Sequence, residues 1–147
     1  MDLIGFDFIS HTNSFAHLAT ILPNGLPHST PIWFYYDKFE NIFKVSIERD
    51  SRKERNLTIN PNVCLSIQNP DNPYHYVQIK GIVTKKELDK DNAFSNLLFQ
   101  KYSENRLLES WFNYSNPLYI VTIKPTHITG WKKESADNFY QNMAKDQ

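Results

Sequence analysis

The chain has 147 residues, enough for one domain that buries a core without staples, and its single cysteine, Cys64, excludes an intramolecular disulfide. Its 16 basic and 16 acidic residues cancel, which argues against a nucleic-acid partner, because such proteins carry a basic excess. No apolar run approaches the ~18 residues of a membrane span, and Met1 to Phe8 carries Asp2 and Asp7 with no basic residue, unlike a secretory signal; the expectation is a soluble cytoplasmic protein with no membrane partner.

Residues 1–147 read as one domain, with a loose polar tail over 134–147. Asp2 to His11, with apolar residues at Leu3, Ile4, Phe6, Phe8 and Ile9, predicts a short first helix. Ser14 to Leu22 predicts a strand, and Pro23-Asn24-Gly25 a turn, since Asn-Gly accepts positive φ. Leu26 to Tyr36 returns as one long strand. Pro27 and Pro31 inside it each remove a ladder donor, which points to an edge position, a bulge or a ligand facing that backbone. Asp37 to Asn41 is a turn and Ile42 to Ile47 a strand. Ser51 to Ile59 predicts a helix, with Ser51 and Glu54 at capping-box spacing and Asn60-Pro61 as its stop.

Val63 to Gln68 predicts a fourth strand, in which Cys64 reads as an inert core thiol. Asn69 to Pro73 reads as a loop, Tyr74 to Thr84 as a fifth strand, Leu88 to Tyr102 as a helix and Leu107 to Phe112 as a second short one. Trp111 and Phe112 read as its packing. Leu118 to Ile123 is a sixth strand, and Ile128 to Trp131 extends or follows it. Six strands with inserted helices make an all-β-dominated fold. The pattern leaves barrel, sandwich and α+β sheet open.

The stretch from Lys44 to Pro61 carries the most chemistry. Arg49, Arg52, Lys53 and Arg55 face Glu48, Asp50 and Glu54 around a helix start. Free amides and the helix dipole favour an anion there, and Arg52 and Lys53 could add charge-assisted bonds to a phosphate. The alternative is a solvated helix face with ordinary salt bridges. Elsewhere His28 and His17 read as strand histidines at the surface, and no His, Cys, Asp or Glu spacing marks a metal site. Tyr74, His75 and Tyr76 read equally as the wall of a substrate pocket or as barrel packing. No side chain is singled out as catalytic.

Five segments in order resemble one family: Phe15-Ala-His-Leu-Ala-Thr, Gly25-Leu-Pro-His-Ser-Thr-Pro-Ile-Trp, Arg52-Lys-Glu-Arg-Asn-Leu, Asn69-Pro-Asp-Asn-Pro-Tyr and Gln78-Ile-Lys-Gly81. They are similar to the pyridoxamine 5'-phosphate oxidase-like flavin and deazaflavin oxidoreductases, the FMN-binding split barrels, and most to the branch labelled F420-dependent. The resemblance implies a six-stranded antiparallel split β-barrel and a homodimer with two cofactor sites across its interface. It implies that Lys53, with Arg52 and the Ser51 amide, holds the phosphate of FMN, or of F420 as the alternative. Ser46 and Ile47 would line the ribityl chain and ring edge. Pro31, Ile32 and Trp33 would present backbone to the ring, and Gln78 and Trp131 would approach from later strands or from the partner subunit.

The function implied is an oxidoreductase acting on an unknown small organic substrate; the alternative is a non-catalytic flavin-binding or carrier protein. In either case the cofactor supplies the redox chemistry, so the lack of an acid–base pair does not count against an enzyme. Pyridoxamine phosphate oxidases themselves are longer and end in a segment with Trp and Arg that completes their sites. Here the chain ends in Trp131-Lys-Lys and a polar tail, which speaks against vitamin B6 oxidation.

Overall fold

The computed structural model describes residues 3, 5–10, 14–102 and 117–131. Seven strands form one antiparallel sheet: β1 (Ala16–Ile21), β2 (Pro27–Ile32), β3 (Phe34–Asp37), β4 (Ile42–Ile47), β5 (Asn62–Asn69), β6 (Asn72–Leu88) and β7 (Tyr119–Trp131). Their order is β2-β1-β5-β6-β7-β4-β3. The two edge strands are therefore consecutive in sequence, joined by Trp33 alone. Flat, seven strands would hold their edges ~29 Å apart. One linking residue spans at most ~7.6 Å between the flanking Cα atoms. The sheet must curl until its edges meet at Trp33, and the result is a split β-barrel.

This corner explains why seven strands replace the six expected. The run from Leu26 to Tyr36 is not one strand: it leaves the ladder of β1 at Ile32 and joins that of β4 at Phe34. Pro27 and Pro31 both lie on the edge strand β2, where only one side of the backbone needs donors. The β1–β2 hairpin turns through Gly25 at φ 84°, with the Leu26 amide donating to Asn24 Oδ1 at 3.0 Å.

Other expectations need correction. The first helix shrinks to one 3-10 turn, Asp7–Ser10, because Gly5 at φ 85° breaks the run. The loop expected over Asn69 to Pro73 is a tight turn, and β6 runs on to Leu88 because β7 pairs with it to Tyr119. The helix expected from Leu88 begins only at Ala93, as α2 (Ala93–Lys101). Asn92 ahead of it is left-handed, at φ 53°. The Asp89 carboxylate accepts from the Phe94 and Ser95 amides at 3.3 and 2.8 Å, capping the helix from outside. The short helix expected over Leu107 to Phe112 and the tail over 134–147 lie outside the described residues. Among the described residues, no helix is long and apolar enough to cross a membrane.

Period-two alternation fills the barrel: Phe43, Val45 and Ile47 of β4, Val63, Leu65 and Ile67 of β5, and Val77 and Ile79 of β6 point inward and are buried. The same period places Cys64 on the other face, half-buried between Ala19 and Lys80 in register. It is not a core thiol. Burial still raises its pKa, opposed by the nearby Lys80. α1 (Arg52–Ile59) is anchored by its two buried residues, Leu57 in the core and Asn56, whose Nδ2 donates to Thr20 Oγ1 of β1 at 3.0 Å. α2 lies on the outer face of β4 and β7, where Phe94, Leu98 and Tyr102 pack with Trp33 and Ile120.

β6 and β7 shift register at Lys80/Gly81 and Val83/Lys85, which accommodates Pro125 opposite Gly81. A Cβ on Gly81 would meet Ile123 Cγ2 and the Lys124 carbonyl oxygen, each at 2.8 Å. The carbonyl belongs to a paired strand and cannot yield. Gly81→Ala is expected to cost about 1–3 kcal/mol of stability, read as a lowered urea midpoint with an unchanged m-value.

Candidate functional site

A cleft of about 400 Å³ opens where the barrel corner, the β4 end and α2 converge. The corner contributes Pro31, Ile32 and Trp33, and Phe15 flanks it from the start of β1. Leu98 of α2 and Leu118 ahead of β7 complete the apolar wall. The polar lining is Ser46, Ser95, Glu48 and Lys53. A pocket of this size with few, clustered polar groups suits a small molecule.

Each polar residue is placed by a local rule. Ser46 alternates with the inward Val45 and Ile47, so it faces outward beneath α2. The chain then turns through Asp50 at φ 61° into α1. Ser51 caps that helix: its Oγ accepts from the Glu54 amide at 3.2 Å. The reciprocal half of the capping box is missing, because Glu54 Oε1 accepts from Lys86 Nζ at 2.9 Å instead. Among the described residues, the Arg52 and Lys53 amides have no internal acceptor, as the first turn of a helix dictates. Lys53 has a side chain only 17% exposed, and among the described residues its ion-pair partner is Glu48, at 3.6 Å and 66% exposed. This is a mostly buried cation beside the cleft with a loose, solvent-facing counter-ion.

The structure brings five of the ten residues named from the sequence into one cleft: Pro31, Ile32, Trp33, Ser46 and Lys53. The other five do not line it. Ile47 points into the barrel core, Ser51 spends its amide on the Glu48 carbonyl at 3.3 Å and its hydroxyl on the helix cap, and Arg52 is exposed. Gln78 and Trp131 sit on β6 and β7, paired with Thr129 and Tyr76, outside this cleft of the protomer. His75 packs edge-on against Phe8 at 4.8 Å, and its Nε2 lies 2.9 Å from the Gly5 carbonyl, so it is structural; Tyr74 and Tyr76 are exposed.

Sequence reasoning missed Phe15, Glu48, Ser95, Leu98 and Leu118 as lining residues. Glu48 could have been found from its charge beside Lys53. Ser95 and Leu98 had no local signal, because only the docking of α2 carries them to the cleft. Ser95 Oγ lies 2.7 Å from Asp89 Oδ2 and 3.5 Å from Ser46 Oγ. With its proton committed to the carboxylate, it accepts in its contact with Ser46 and has one lone pair left for a ligand.

Tyr102 fixes the corner. Its hydroxyl donates to the Ser14 carbonyl at 2.7 Å and accepts from the Phe34 amide at 3.3 Å, which uses both of its capacities. Its ring stacks on Trp33 at 4.8 Å and 14°. Lys101 beside it donates to the Phe34 carbonyl at 2.8 Å.

The pyridoxamine 5'-phosphate oxidase family model matches residues 7–132. The chain belongs to this family. Among curated protein sequences, none matches the chain. Of solved structures, it is similar to an F420 reductase, at 27% identity with a TM-score of 0.70 over 84% of this chain and 94% of that one. It also resembles General Stress Protein 26 from Bacillus anthracis, at 24% identity and a TM-score of 0.60, covering 82% and 85% of the two chains. An FAD-binding protein from Mesorhizobium loti matches at 15% identity and 0.63, covering 88% and 94%. The last two likenesses are of fold. Family membership accords with the split barrel, and three of the five segments that carry the resemblance reach the cleft, through Phe15, through Pro31, Ile32 and Trp33, and through Lys53.

Burial pushes the Lys101 ammonium down to about 8 from an ordinary 10.5, and pushes the Tyr102 phenol up to about 12 from 10.0, against a lowering by the Phe34 backbone hydrogen bond. The signs differ. Between pH 8 and 10.5 the unfolded chain holds more of the Lys101 proton, so stability rises with pH; between pH 10 and 12 it holds less of the Tyr102 proton, so stability falls. Urea midpoints measured across this range should pass through a maximum near the overlap of the two windows. Lys101→Met should remove the rise and Tyr102→Phe the fall.

Proposed function

We propose that the chain is an oxidoreductase that binds FMN in this cleft and acts on a small organic substrate. The carrying observation is Lys53, a mostly buried cation with a loose partner, at the edge of a cleft walled by Trp33, Phe15, Leu98 and Leu118. The donor set fits such a cofactor. The Lys53 ammonium and the unpaired amides of Arg52 and Lys53 suit a phosphate. The apolar wall suits a planar ring, and Ser95, as an acceptor beside Ser46, suits a chain hydroxyl that donates. When bound, the flavin would supply hydride or electron transfer, while the protein would bind it, orient it and limit water around it.

F420 is the second reading, favoured by the likeness to an F420 reductase at 27% identity. Both readings need the same phosphate cradle. A homodimer accompanies the proposal: Phe15 at the cleft is 41% exposed, and a second copy would cover this mouth and supply Gln78 and Trp131, which this protomer does not bring to it. A non-catalytic carrier would bind the cofactor equally well; transfer from the bound, reduced cofactor to an added acceptor separates enzyme from carrier.

Titration with FMN and with F420, followed by fluorescence, tests the cradle. Lys53→Ala should weaken binding by roughly 10- to 150-fold, the equivalent of ~1.5–3 kcal/mol for a charge-assisted bond, with little change in melting temperature. Glu48→Gln should strengthen it by up to about fivefold, since it removes a competing partner worth ~0–1 kcal/mol. Equal affinity of wild type and Lys53→Ala for the cofactor would overturn the phosphate assignment. Light scattering at micromolar protein should give the mass of a dimer; a monomer would count against the partner's share in the site.

A further inference from the structure

A second cavity of about 370 Å³ lies between the 3-10 turn, β3 and α2, and shares no described lining residue with the first. α2 separates them. It turns Ser95 and Leu98 toward the first cleft, and Leu97 and Lys101 toward the second. Ile9, Leu97 and the rings of Tyr35 and Tyr36 give the second cavity an apolar body. Tyr35 and Leu97 leave apolar surface exposed at its mouth, at 37% and 42%.

We propose that this cavity is a binding site for a small carboxylate with an apolar body, with Lys101 Nζ as the receptor of its anionic head. An ammonium has three donors and no acceptor. Two point to backbone carbonyls, Phe34 O at 2.8 Å and Ile9 O at 3.4 Å, and the charge sits 3.9 Å from the centroid of the Phe34 ring. Among the described residues, no carboxylate lies within ion-pair distance of it. A partly buried cation whose partners are all neutral keeps an uncompensated charge. Burial lowers its pKa to about 8, in the direction that such a setting predicts. That charge borders a cavity whose remaining lining is Ile9, Leu97 and the rings of Tyr35 and Tyr36, with Ser10 and Gln100 as its polar groups. A monoanion matches one ammonium, and an apolar body matches the wall.

Fluorine NMR of para-fluorobenzoate against the full-length protein tests this directly. The wild type should broaden and shift the probe signal in a saturable way, and the neutral isostere para-fluorobenzamide should not bind. Lys101→Met should weaken binding by about tenfold or more, as loss of a charge-assisted contact implies, and Lys101→Arg should retain it. Lys53→Ala, which alters only the first cleft, should leave it unchanged. Leu97→Glu, at an exposed helical position, keeps the fold and sets a competing carboxylate on the rim; it should abolish binding even if Lys101→Met does not fold. The proposal is overturned by no binding at millimolar probe, by equal binding of the amide, by retention in Leu97→Glu or in folded Lys101→Met, or by loss in Lys53→Ala.

Discussion

The structure depends on one closure: the two edges of a seven-stranded sheet are the same stretch of chain, continuous through Trp33. Curling the sheet to satisfy that continuity places Phe34, Phe43, Val45, Leu65 and Ile79 inside a dry barrel. It also leaves backbone groups at the corner that need partners from outside the ladder. Tyr102 takes up both backbone needs there, one as donor and one as acceptor, and lays its ring on Trp33. Closed barrels abolish the edges at which sheets aggregate. Here β2 and β3 are still edge strands, and the split between them is where small molecules have room.

The cleft inherits its chemistry from this geometry. Alternation along β4 aims Ser46 outward, the left-handed Asp50 swings the chain into α1, and Asn56 ties α1 to β1, so that Lys53 stands at a fixed distance from the corner. α2, capped by Asp89, brings Ser95 and Leu98 from the far side. The set holds two titratable groups, Glu48 and Lys53, among hydroxyls and apolar side chains. On the reading proposed above, the cleft holds a cofactor whose reactivity is its own.

Both lysines that matter are partly withdrawn from water, and among the described residues one has a loose carboxylate partner and the other has none within ion-pair distance. Lys53 has Glu48 at 3.6 Å and largely in solvent; Lys101 has two carbonyls and a ring. In contrast, Lys86 is paired closely with Glu54, at 2.9 Å. A protein with 16 charges of each sign has ample anions. That these two cations are left under-compensated beside cavities is a property of the sites and not of composition.

Much of this was legible in the residues themselves. Strand and helix types follow from local periodicity and caps: the Pro23-Asn24-Gly25 turn, Ser51 as N-cap and the outward Ser46 all rest on interactions within a few residues. The edge position of Pro27 and Pro31 was readable because a missing amide is a local fact. The break at Trp33 was not, since a run of strand-forming residues looks the same whether it stays in one ladder or passes between two. Nor was the length of β6 and β7, which each strand lends the other, or the late start of α2, set by an Asp89 contact across a turn. Sequence by itself determined the elements, the charge cluster at α1 and the family, because these depend on neighbours along the chain. Only the tertiary structure decided which residues share a cleft, that Cys64 lies outside the core, and that Ser95 and Lys101 face separate cavities, because those depend on where the closed sheet and the docked helix put residues far apart in sequence.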